Sequence, residues 1–124
     1  MNVDLIASYL LKGFFMKRLT ITGHVCRDAE LRNDPQGREF AVFHVAVMAG
    51  TKDNPKTDWI EVSCNGRLVD VAYNHVKMGV KVYVDGTPRL STYINSENNT
   101  IGVVKLYAHT LELLNKPISS ANKE

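Results

Sequence analysis

Between Lys17 and Val25 the chain alternates: Leu19, Ile21, Gly23 and Val25 interleave with Arg18, Thr20, Thr22 and His24. A period of two marks a strand with one buried and one wet face. The turn-forming run Asn33-Asp34-Pro35-Gln36-Gly37 separates it from Phe40 to Ala49, an almost unbroken apolar stretch that predicts a long second strand. Gly50 to Thr57 reads as an exposed polar hairpin loop. In the third strand Ile60, Val62 and Cys64 share one face, while Trp59, Glu61, Ser63 and Asn65 share the other. The pattern then changes period. Leu68, Ala72 and Val76 recur at helical spacing within Arg67 to Met78, with Gly79 as a stop, and predict one helix. Alternation returns at Val80, Val82 and Val84 in a fourth strand, which Asp85-Gly86-Thr87-Pro88 bends before it runs on through Tyr93. Pro88 there argues for an edge or a bulge. A polar tip, Asn95 to Thr100, leads into a fifth strand from Ile101 to Leu114.

Five strands with a single helix between the third and fourth is the element order of the OB-fold, an all-β, five-stranded, partly open barrel. Such barrels bind oligonucleotides or oligosaccharides on one curved face. A chain of 124 residues suits one such domain, placed at residues 16–114. Residues 1–15 differ in character: Val3, Ile6, Ala7, Leu10 and Phe14 recur at helical spacing, without the basic start or long apolar run of a secretory signal or the length of a membrane span. They read as a leader from an upstream start, or as a short helix that docks on this subunit or a neighbour. Residues 115–124 read as a flexible end.

Composition adds two constraints. Hydrophobic residues at 44% and charged residues at 23% fit an ordinary folded domain, and a net charge of +2 permits a polyanionic partner without demanding one. Two cysteines, Cys26 and Cys64, are too few for a disulfide scaffold and suit a reducing cytoplasm.

Several segments point further. Gly23, Arg27-Asp28-Ala29-Glu30-Leu31-Arg32, Pro35-Gln36-Gly37, Asp58-Trp59-Ile60-Glu61-Val62, Gly66-Arg67-Leu68-Val69-Asp70-Val71-Ala72, Lys77-Met78-Gly79 and Val82-Tyr83-Val84-Asp85-Gly86 occur in an order and spacing that resembles bacterial single-stranded DNA-binding proteins, from Met16 to Leu114. The resemblance implies an OB-fold homotetramer, or a homodimer, that binds and protects single-stranded DNA in replication, recombination and repair without marked sequence preference. It implies no cofactor, no metal, no membrane association, a nucleoid-associated protein of the cytoplasm, and no catalysis.

That role needs aromatic faces for unpaired bases and cations for phosphates. Trp59, the one tryptophan, stands at a family position that is aromatic and on the solvent side of its strand; Tyr93 matches a second. Candidate phosphate contacts are Lys17, Arg27, Arg32, Arg38, Lys52, Lys56, Arg67, Lys81 and Arg89, with Lys56 and Arg89 preferred as the pair on loops flanking the aromatics. Tyr83 is expected to serve subunit packing. Asn65 stands where many relatives have Phe or Trp, and Thr51-Lys52 lacks a further aromatic, so binding weaker than that of relatives with a full set is expected. Glu61 shares Trp59's face and repels phosphate unless a neighbouring cation pairs with it. Relatives typically continue into a linker ending in an acidic tip that recruits replication and repair proteins, and this sequence has none.

Two other functions fit less of the chain. Arg18-Leu19, Gly23, Val25-Cys26-Arg27, His109 and Leu111-Glu112-Leu113 also resemble the related primosomal replication protein, a dimeric adaptor for DNA and replication proteins. An enzyme would draw on His24, Cys26, His44, Cys64, His75 and His109, but these form no Cys-x-x-Cys or His-Glu-x-x-His motif.

Overall fold

The computed structural model describes residues 16–115. The leader and all but the first residue of the flexible end therefore lie outside the described residues.

Strands β1 (Leu19–Val25), β2 (Glu30–Asn33), β3 (Glu39–Gly50) and β4 (Pro55–Cys64) are followed by helix α1 (Leu68–His75) and strands β5 (Lys81–Ile94) and β6 (Thr100–Leu113). The sheet order is β1-β5-β6-β4-β3-β2. A further antiparallel contact of β1 with β3, at His24↔Ala46 and Val25↔Val45, closes five of these strands into a barrel. The pairing of β4 with β6 is parallel. This is an OB-fold, with the helix between its third and fourth barrel strands.

Alternation puts one set of side chains inside. Ile21, Val25, Phe43, Val45, Val62, Val82, Val84 and Leu106 fill the barrel, and Val69, Ala72 and Val76 close its end from α1 and the turn after it. Each fully buried Val, Leu or Phe contributes about 1.5–3 kcal/mol of hydrophobic free energy. Cys64 is part of this core, and burial pushes its thiol up to about 12. Two glycines are required by close approach. A Cβ on Gly23 would overlap the carbonyl oxygen of Ala46 where β1 meets β3. One on Gly86 would overlap the carbonyl oxygen of Tyr107, at the register shift where β5 bends.

Four expectations need correction. The strand β2 went unforeseen because all four of its residues are exposed, so no burial pattern betrays it; only pairing to β3, through Glu30↔Val42 and Arg32↔Phe40, defines it. The polar loop after β3 shrinks to residues 51–54, since Pro55, Lys56 and Thr57 already pair in β4. The helix ends at His75, three residues earlier than periodicity predicts. Val76 turns extended to bury its side chain, its carbonyl accepts from Ala29 N–H at 3.0 Å, and Met78 N–H donates to Asp28 Oδ1 at 2.9 Å. Tertiary hydrogen bonds thus replace the last helical turn. Lys56 and Arg89, expected on loops, lie within β4 and β5.

Candidate nucleic-acid interface

Beyond Gly86 the strand β5 leaves β1, whose pairing covers only Lys81 to Gly86, and past Leu90, where β6 no longer pairs with β4, the two run on as a two-stranded ribbon to the Asn95–Asn99 tip. The ribbon rises beside the outer faces of β3 and β4 and leaves a groove between them. Three contiguous depressions make up this groove. One is lined by Arg27, Asp28, Glu30, Arg32, His44 and Trp59, the next by Trp59, Glu61, Ser91, Tyr93, Val103 and Lys105, and the last by Arg32, Phe40, Ser63, Asn65, Lys105 and Tyr107.

The register explains why these residues converge. Outward positions of neighbouring strands sit side by side in a sheet. His44 pairs with Glu61, Glu61 with Lys105, and Lys105 with Arg89, so one row crosses β3, β4, β6 and β5. Trp59 lies two residues before Glu61 on the same face, paired with Ala46, a residue too small to cover the indole. It is 55% exposed and Tyr93 54%, an unusual degree of wetting for aromatic rings.

Charges in the groove are of both signs, but each lining carboxylate has a partner. Asp28 accepts from Met78 N–H at 2.9 Å, Glu30 lies 3.5 Å from the Arg32 guanidinium, and Asp34 is bound by Arg38 Nε at 3.0 Å. The hydrogen bond from the Arg38 backbone N–H is the main cause that holds the Asp34 carboxyl below the usual carboxylate range. Glu61, foreseen as a repulsive group, has His44 Nε2 at 3.5 Å on one oxygen and Lys105 Nζ at 3.7 Å on the other. Among the described residues no carboxylate lies within ion-pair distance of Arg27 or Arg89, and the Arg89 guanidinium sits 5.9 Å from the Tyr107 ring centre. The arrangement offers flat faces for stacking and uncompensated cations beside them.

Of the residues singled out from sequence, Trp59, Tyr93, Arg27 and Arg32 line the groove, and Arg89 stands at its edge against Tyr107. The others do not join them. Lys56 alternates to the face opposite Trp59, and Lys52 is at the tip of the β3–β4 hairpin. Arg38 is tied to Asp34, Arg67 stands at the N-terminal boundary of α1, and Lys17 precedes β1. Lys81 pairs with His24 across the barrel, on the face that also carries Tyr83. The sequence reading assigns no role in the site to Lys105, Tyr107 or Phe40, and it names His44 only for an enzyme. For the first two a signal existed: Val103, Lys105 and Tyr107 alternate with the inward Val104 and Leu106. Phe40 is adjacent to Asn65 and supplies an aromatic where position 65 lacks one. Among the described residues no three His, Cys, Asp or Glu side chains cluster as metal ligands, and no helix is long and apolar enough to cross a membrane.

Single-stranded DNA-binding protein 1 of Chlorobaculum tepidum is 29% identical over 90 residues, 68% of this chain and 54% of that protein. The single-stranded DNA-binding protein of Oceanobacillus iheyensis is 26% identical over 102 residues, 80% of this chain and 63% of its own length. The chain thus spans between about half and two-thirds of the length of these two relatives. Among solved structures, a Plasmodium falciparum SSB complex with ssDNA superposes with a TM-score of 0.66 at 21% identity, over 83% of this chain and 98% of that one. The small single-stranded DNA-binding protein from Streptomyces coelicolor gives 0.66 at 17% identity, over 86% and 99%. At such identities the likeness speaks to the fold. The family model described as single-strand binding protein family matches residues 16–114, and the chain belongs to that family.

Proposed function

We propose that this chain binds single-stranded DNA along the β3–β4–β6 groove, by stacking unpaired bases on Trp59, Tyr93, Tyr107 and Phe40 and by neutralising phosphates with Arg27, Arg32, Arg89 and Lys105. The observation that carries the proposal is the half-exposed Trp59 in the floor of a groove with cations beside it, on a chain of this family. Stacking accepts every base, and phosphate contacts read no sequence, so recognition is broad. Lys17, Arg38, Lys52, Lys56, Arg67 and Lys81 stand outside the groove and serve, if bound DNA continues around the barrel, as outlying phosphate contacts. Assembly into a homotetramer or homodimer, service in replication, recombination and repair, a cytoplasmic location and a non-enzymatic role extend the same proposal.

Titration with oligothymidylate tests it. Trp59 is the only tryptophan, so base stacking quenches all of the indole emission the protein has. Affinity falls with salt at a log–log slope of about −0.7 per phosphate contacted, and duplex DNA of equal length binds far less. Unchanged emission together with a flat salt response would overturn the proposal.

A further inference from the structure

Two side chains, Trp59 and His44, line both of the depressions that meet in the middle of the groove; Arg27, Asp28, Glu30 and Arg32 lie beyond them on one side, Glu61, Tyr93 and Lys105 on the other. A strand following the groove has to cross this ridge. His44 stands on β3 opposite Glu61 of β4, with 46% of its side chain exposed, and imidazole is the side chain whose charge ordinarily changes between about pH 5 and 8. With a neutral imidazole, charge around the ridge is balanced: Arg27, Arg32 and Lys105 are matched in number by Asp28, Glu30 and Glu61. Glu61 lies 3.5 Å from His44 Nε2 and 3.7 Å from Lys105 Nζ, one anion between a cation and the ring. Cys26 and Tyr93 complete the titratable groups that face the ring, and thiols and phenols ordinarily lose their protons only above about pH 8. A proton on His44 therefore supplies the excess of positive charge from which a polyanion crossing the ridge gains.

We infer that His44 is a proton-gated phosphate contact, which tightens the hold of this groove on a single strand as pH falls from about 7.5 to 5.5. An imidazolium donates from both ring nitrogens, so the one not turned to Glu61 serves the phosphate beside the base stacked on Trp59. Within that window carboxylates ordinarily stay ionised, and ammonium and guanidinium groups keep their charge, which leaves imidazole to respond. The other histidines stand elsewhere: His24 pairs with Lys81 on β5, His75 ends α1, and His109 meets Thr87 on the far face of the barrel. The inference rests on single-strand binding along this groove and adds a pH dependence that neither stacking nor the permanently charged arginines and lysines create.

The test uses oligo(dT), whose base does not titrate in this window, and reads anisotropy of the labelled strand across a salt series at about pH 7.5 and 5.5. One added phosphate contact makes the log–log salt slope steeper by about 0.7 at the lower pH and tightens binding about fivefold in roughly 0.1 M salt. In His44→Gln the slope is the same at both pH values and the rise in affinity toward acid is gone. In His44→Lys, which carries its charge throughout, the steeper slope persists at both. Thermal melts of each variant at both pH values keep folding apart from binding, and the response of the unaltered protein decides without any variant. A salt slope in the unaltered protein that does not change with pH, or an equal rise toward acid in His44→Gln, would overturn the inference alone. Failure of oligo(dT) to bind the unaltered protein at either pH would overturn single-strand binding itself.

Discussion

On the barrel face formed by β1 and the first half of β5, outward side chains satisfy one another: Arg18 and Thr20 both donate to the Asp85 carboxylate, and Thr87 Oγ1 meets His109 Nε2 at 2.9 Å. On the face formed by β3, β4 and the second half of β5, outward aromatics stay wet, and Glu61 meets His44 and Lys105 only at 3.5 and 3.7 Å. Both faces come from the same alternation, and both enclose the same valine-rich core. The difference is curvature. Along Lys81 to Gly86 the strand β5 lies flat between two neighbours, whereas beyond Gly86 it has only β6 and swings out to wall a groove. Unsatisfied surface collects where a strand leaves its sheet, and there a ligand has something to gain.

The bend itself is the most sensitive point. Gly86→Val drives a side chain into the backbone of Tyr107, and overpacking of this kind costs about 1–3 kcal/mol or more. The expected result is a clearly lowered unfolding midpoint together with loss of single-strand binding. A variant that melts normally and still binds would detach the groove from the bend.

Trp59→Ala comes next. It removes one base–aromatic stack, about 1–3 kcal/mol of single-strand affinity, or roughly 5- to 150-fold. The melting temperature changes little, because the ring is half in water. Arg18→Ala on the opposite face is the matched control, with affinity held within about twofold. Equal losses from both substitutions, measured by anisotropy, would erase the contrast between the faces.

Acid gives the smallest effect and acts on the satisfied face. The hydrogen bond from Arg18 holds the Asp85 carboxyl below its usual range. A carboxyl depressed on folding adds stability above its unfolded pKa, near 4, and that stability drains away as pH falls through the lower folded value. Thermal melts of Asp85→Asn should therefore trail the unaltered protein at neutral pH and converge with it in strong acid. A gap constant across pH would mean that the carboxylate charge contributes nothing. Single-strand affinity at neutral pH stays as it was in this variant.

Much of this molecule was legible in its sequence because burial writes a period into the chain. Ile60, Val62 and Cys64 alternating with Trp59 and Glu61 determined which side of β4 meets solvent, and Leu68, Ala72 and Val76 announced the only helix among the described residues. Where burial is absent or shared the period falls silent: the exposed β2 left no trace, and the last helical turn was lost to hydrogen bonds with the β1–β2 connection. Alternation also says only in or out. It made Trp59 and Lys81 equally outward, yet pairing places one in the groove and the other across the barrel beside His24. Lys56 and Trp59 are three residues apart and face opposite ways, while Lys105 and Glu61 are far apart in the chain and within 4 Å in space. The sequence by itself determined the strands, the core and the wet tryptophan, because those follow from the local partition of apolar and polar groups. Which cations and aromatics share a groove was decided only by strand register, barrel closure and the bend at Gly86, since these bring together residues that no local period relates.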